Sequence, residues 1–155
     1  MTFKEAIEKT PHLNRAWKTG LQALRPEDKP HIAAADTRKI TGSVDVDTAY
    51  KKVDPYGNRW DFGIAYQHTN RQAEVVYWVE PHTASDSQVS VVIKKAQWLL
   101  HWLKNDGVLL KSFEYNIVWV SSGATAFTDS STQKKRMAQA GLQYVGNKLC
   151  IPRER

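Results

Sequence analysis

The residues best suited to chemistry are two acids and a histidine around "RWDFGIAYQHTNRQAEVVYWVEPH", which runs from Arg59 to His82. Two apolar arms flank a polar turn, with Asp61 near the outer end of one arm and Glu80 near that of the other. His82 lies two residues beyond Glu80. In an antiparallel hairpin, facing residues have position numbers with a constant sum. A turn centred between Asn70 and Arg71 makes that sum about 141, and Asp61 with Glu80 satisfies it. The two carboxylates should then leave the same side of the sheet with Cβ atoms ~5 Å apart. Like charges so placed destabilise a sheet unless a cation lies between them, and carboxylate oxygens suit a hard divalent ion. The expectation depends on the turn centre, because a one-residue slip sends one acid to the other face. No Asn-Gly or Asp-Gly pins that turn.

A third acid comes from "SVDVD", where Asp45 and Asp47 share a face by the two-residue period of a strand. If the preceding connection turns near Val53 and Asp54, Asp45 or Asp47 approaches Asp61. Asp45 therefore joins Asp61 and Glu80 as a candidate metal ligand. Acids at strand ends are also common because strand ends meet solvent, and Asp61 has Arg59 close by as a turn partner.

The elements that must position these groups follow from periodicity. Thr2 with Glu5 predicts a capping box. Apolar residues from Phe3 to Leu24 predict a helix over 3–24, interrupted near Thr10 by Pro11. "RPEDKP" ends it. A strand over 38–47 with Gly42 as a bulge, a strand over 60–67 and a strand over 73–80 come next. Ser85 with Gln88 marks the start of a long helix. Its stripe of Val89, Val92, Ile93, Ala96, Leu99, Leu100 and Leu103 has amphipathic spacing. "YNIVWVSS" at 115–122 has the pattern of an interior strand. Asp129 or Ser130 opens a last helix ended by Gly141, and "LQYVGNKLCIP" is a final strand. The prediction is one domain over 1–155 in the α/β class: a mixed central sheet flanked by helices, in the order α-β-β-β-α-β-α-β.

The chain has 155 residues, enough for one core. A net charge of +6 favours a polyanionic partner, although a basic protein with no nucleic-acid role carries such a charge equally well. The single cysteine, Cys150, excludes an internal disulfide and a cysteine-rich zinc site. In "KLCIP" it reads as a small core residue. The five histidines show no paired ligand spacing. No apolar run approaches the roughly 20 residues of a membrane span, and the charged N-terminus does not fit a signal peptide. A cytoplasmic location without membrane contact is the expectation.

The element order, the Asp on the second strand and the acid ending the third resemble the PD-(D/E)XK nuclease superfamily, the restriction-endonuclease-like fold. The resemblance covers the chain from the first helix to "YNIVWVSS". It implies that Asp61 and Glu80 hold Mg²⁺ and that a lysine two residues after the second acid helps to activate water. Here "EPH" puts His82 in the lysine's place. Some members of the superfamily supply the lysine from the following helix, which leaves Lys94, Lys95 and His82 as alternatives. Lys95 shares the flank of Val91, Trp98 and Trp102. Pro81 inside the motif is unusual, since proline favours an edge or a strand end. The resemblance implies metal-dependent phosphodiester hydrolysis of DNA or RNA, with His82 or Lys95 orienting or deprotonating the water. Were His82 a ligand, Mn²⁺ would be favoured over Mg²⁺. Glu5 or Glu8 of the first helix points at the same site in this fold class. The alternative is a nuclease-like module without catalysis that binds nucleic acid or a protein partner.

Two other signals stand apart. Lys134, Lys135 and Arg136 form a basic run on the last helix, suited to phosphates or to plain solvation. "SSGATAFTDSS" at 121–131 follows an interior strand, the setting of an anion loop or a small-molecule site beside Ser122. It lacks the ending of a phosphate-binding loop.

Overall fold

The computed structural model describes residues 1–123 and 131–153. Helix α1 spans Phe3–Glu8; Thr2 caps it by accepting from the Glu5 N–H at 3.1 Å. Short strands β1 (Trp17–Lys18) and β2 (Ile32–Ala34) precede β3 (Ile40–Asp45). Helix α2 (Val46–Tyr50) then leads to β4 (Phe62–Tyr66) and β5 (Val75–His82). Helices α3 (Val89–Lys104) and α4 (Val108–Lys111) follow, then β6 (Tyr115–Ser121). Helix α5 (Ser131–Gln139) and strands β7 (Leu142–Tyr144) and β8 (Leu149–Ile151) complete the described order.

The main sheet has the order β1-β3-β4-β5-β6-β7 and is mixed. The pairs β1/β3, β3/β4 and β4/β5 are antiparallel, whereas β5/β6 and β6/β7 are parallel. Strand β6, apolar from Ile117 to Val120, sits between β5 and β7, as a run buried on both faces must. One face packs on helices: Phe3 and Ile7 of α1, Val46 of α2, Val92, Leu99 and Leu103 of α3, Leu110 of α4 and Met137 of α5 share one cluster. The other face, with Phe62, Ile64, Tyr77 and Val79, is covered by Leu24, Ile32, Leu149 and Ile151. Helices therefore flank one face among the described residues. The parallel pair β2/β8 and the segment before it cover the other.

Several expectations change. The helix predicted over 3–24 stops at Glu8, because Pro11 and His12, the latter at φ 66°, break the helical path. The final strand divides into β7 and β8 around Gly146, whose φ of 78° suits glycine. Cys150 faces solvent, since Leu149 and Ile151 on either side of it point inward. The bulge at Gly42 is present, as a register shift between Ile40 and Gly42. Gly63 is required by its neighbour: a Cβ there would meet the facing Trp78 ring at 2.5 Å. The predicted starts of the last helix, Asp129 and Ser130, and most of "SSGATAFTDSS" lie outside the described residues. Among the described residues, no helix is long and apolar enough to cross a membrane.

Candidate active site

The hairpin of β4 and β5 pairs Phe62 with Val79, so its facing positions add to 141. Asp61 and Glu80 therefore stand opposite each other at the mouth of the hairpin, as the turn centre predicted. The Asp61 N–H donates to Glu80 Oε1 at 3.1 Å. On the other side, the Asp61 carbonyl accepts from Val46 at 2.9 Å, which holds the start of α2 against this corner. Strand β4 stops opposite Val79, so by Pro81 the neighbour across the ladder is β6 alone. There β5 is locally an edge, which tolerates the missing N–H.

Helix α3 supplies the cation. Its apolar stripe packs on the sheet and leaves Lys95 on the flank that looks down at the hairpin mouth. Lys95 Nζ donates to Glu80 Oε2 and lies 3.4 Å from Asp61 Oδ1. Lys94, one position round the helix, is exposed. Of the three alternatives for the motif lysine, Lys95 thus reaches both acids. His82 leaves β5 on the same face as Glu80. Its Nδ1 is 3.8 Å from Glu80 Oε2, and its Nε2 is 2.7 Å from Gln88 Oε1. Both ring nitrogens are thus turned to protein groups, which does not favour His82 as a metal ligand.

Two contributors gave no sequence signal. Arg25, read only as part of a helix-ending segment, donates from Nη2 to Asp61 Oδ2 at 3.1 Å and from Nε to Asp28 Oδ2 at 2.9 Å. Its guanidinium lies over the Phe62 ring. Gln88, read only as a capping partner of Ser85, orients His82; Ser85 itself makes no side-chain capping bond.

Asp45 is not brought to this site. It pairs with Phe62 across β3/β4, so its side chain leaves on the sheet face opposite Asp61 and Glu80. Its carboxylate caps α2, accepting from the Thr48 N–H at 2.9 Å and the Thr48 hydroxyl at 2.7 Å. Arg59 is bound to Asp47 at 2.9 Å and not to Asp61. Glu5 is held by Thr2, at the end of α1 where the Phe3 N–H meets Glu74. Of the basic run on α5, Arg136 is tied to α3 through Ser90 at 2.7 Å.

Burial shapes the electrostatics. Glu80 is fully buried and Asp61 is 6% exposed. Burial first, and then the charge of Glu80, push Asp61 up to about 7, although Lys95 and Arg25 pull the other way. Burial works against charge on Lys95, but Glu80 and Asp61 outweigh it and raise its pKa, so Lys95 is an ammonium at neutral pH. His82 is raised by its contact with Glu80, against burial, with help from Gln88. Two acids facing a fixed ammonium, beside a histidine raised from 6.5, form one compact, largely buried ion network.

Among the described residues no three metal-ligating side chains come together. Two carboxylates nevertheless suit Mg²⁺, which keeps several waters and is usually bound by one or two carboxylates plus substrate phosphate. They do not make a closed all-protein site of the zinc kind. Comparisons of this chain with protein-family models, with curated proteins and with solved structures find no match.

Proposed function

We propose that this chain is a divalent-metal-dependent nuclease with a restriction-endonuclease-like core, hydrolysing phosphodiester bonds of DNA or RNA. The observation that carries the reading is the meeting of Asp61, Glu80 and Lys95 at one end of the β4/β5 hairpin. It supports the resemblance because these groups come from three separate elements and because Lys95 supplies the lysine that "EPH" lacks. Asp61 and Glu80 would hold Mg²⁺ or Mn²⁺. The ion, when bound, lowers the pKa of an attacking water and polarises the scissile phosphate. Lys95 stays protonated and therefore acts as a donor, orienting the water or stabilising charge on the phosphate oxygens. His82, held by Gln88, is the group suited to carry the proton between water and solvent. Arg25, half-exposed beside Asp61, offers a second cation to the phosphate.

A second reading has its own observation. Lys95 and Arg25 already balance Asp61 and Glu80, so the cluster is a self-contained ion network, as a non-catalytic module would need. Incubating labelled duplex DNA, single-stranded DNA and RNA with Mg²⁺, Mn²⁺ or chelator separates the two. The nuclease reading expects metal-dependent cleavage, lowered at least about 100-fold by Glu80→Gln and by Lys95→Gln. Cleavage retained in both variants rejects the site. Binding without cleavage in either metal favours the module.

A further inference from the structure

Beyond the acid cluster, the segment 12–23 and the start of α2 form an open cavity of about 400 Å³ at the surface. His12, Arg15, Lys18 and Gln22 line it on one side, Asp45 and Thr48 on the other. The Asp45 carboxylate is turned onto Thr48 by two hydrogen bonds, so it is already engaged. Among the described residues, neither Arg15 nor Lys18 has an ion-pair partner. His12 is held at φ 66° with its ring edge-on to Tyr50, centroids 5.3 Å apart. The cavity thus presents unpaired positive charge on a wall set by a sharp backbone turn.

Its position matters as much as its charge. Two chain segments join it to the acid cluster. Gln22 lines the cavity, and Arg25, three residues on, reaches Asp61 at 3.1 Å. Asp45 lines the cavity, and the next residue, Val46, donates its N–H to the Asp61 carbonyl. The cavity wall and the acids are therefore linked along the chain through two segments, although the Asp45 side chain itself leaves the sheet face opposite Asp61 and Glu80. Arg25, which reaches Asp61, and Lys18 and Arg15, which line the cavity, thus belong to one short basic segment of chain.

We infer that this cavity is a phosphate subsite, where Arg15 and Lys18 grip the backbone of a nucleic-acid strand whose scissile bond lies at the acid cluster. The inference rests on the nuclease reading for what it serves, but its binding chemistry stands apart from cleavage. It names phosphodiester backbone and not bases, since Arg15 and Lys18 supply charge and no aromatic face lines the cavity beyond the His12 ring.

The test is fluorescence anisotropy of the metal-free protein with a labelled 12-mer as duplex DNA, as single-stranded DNA and as RNA, over a range of salt. Arg15→Gln with Lys18→Gln should weaken the best-bound probe about tenfold and make the slope of log K against log salt shallower by about 1.8, two phosphates' worth. Lys104→Gln with Lys111→Gln removes the same charge elsewhere and should change either quantity far less. Equal losses in the two double variants would mean diffuse attraction and overturn the subsite, as would an unchanged slope in the first variant or no binding of any probe. The residues are exposed, so folding is not at stake. Weakened binding in a protein that never cleaves keeps the subsite and removes the nuclease. Cleavage with KM unchanged in Arg15→Gln/Lys18→Gln keeps the nuclease and removes the subsite.

Discussion

Replacing Asp61 by asparagine should abolish hydrolysis and at the same time stabilise the fold above neutral pH. Burial and the charge of Glu80 lift Asp61 from 3.8 to about 7. Between about pH 4 and pH 7 the folded chain therefore holds a proton that the unfolded chain has released. Stability must fall as pH rises through that window and level off above it. A rise of roughly three pH units, at about 1.36 kcal/mol each, puts the cost of the ionised carboxylate on the order of 4 kcal/mol. Asparagine has nearly the shape of the protonated acid and carries no charge. Lys95 keeps Glu80 as its partner, and Arg25 keeps Asp28 at 2.9 Å, so no cation is stranded. Asp61→Asn should then gain about 2–4 kcal/mol at pH 8, where the wild type bears the full cost, and under half as much at pH 5, where the wild type bears only the part that accrues above 3.8. His82, also raised, contributes stability that is full below 6.5 and lost as pH rises through its higher folded value, so it adds a slope of the same sign that the variant keeps. Urea unfolding followed by tryptophan fluorescence at pH 5, 6, 7 and 8 reads these quantities directly. A variant less stable than the wild type at pH 8, or one retaining the whole wild-type slope, would refute the assignment of strain to these facing acids.

Three further outcomes follow from the same geometry. Lys95→Met leaves two buried acids with Arg25 alone; it should cost about 3–5 kcal/mol at pH 8 and distinctly less at pH 5, where a proton on Asp61 replaces the ammonium, as urea midpoints would show. Mg²⁺ should stabilise the wild type at pH 8 by about 1.4 kcal/mol per decade of concentration above its Kd, and Glu80→Gln should lose that response in a thermal-shift titration. Gly63→Ala forces the Trp78 ring away from the hairpin mouth and should cost about 1–3 kcal/mol, with a shifted tryptophan emission if the ring moves.

Much of the site's frame was readable along the chain because it depends on local rules. Side chains alternate on a strand, and the loop over 67–74, centred between Asn70 and Arg71, carries its register out to Asp61 and Glu80. The stripe of α3 follows the helical period and placed Lys95 beside, and not within, the buried face. These are relations between residues a few positions apart, or joined through one hairpin.

Other parts depended on how distant segments meet. Between Lys94 and Lys95 the choice was made by the packing of α3 on the sheet, which exposes one and turns the other onto the acids. Asp45 shares a strand pattern with Asp47, but the parity of β3 against β4 is set across α2 and the loop after it, and that parity sends Asp45 to the other face. Arg25 reaches Asp61 from 36 positions away by a path no periodicity describes. The final strand was divided between two sheets because Leu149 and Ile151 find Ile32 and Ala34, pairings unrelated to their own sequence pattern. The sequence alone determined which residues alternate and which stripe is buried, since those follow from backbone geometry within one element. Only the tertiary structure decided which charges meet, because that depends on long-range packing whose partners lie in separate elements.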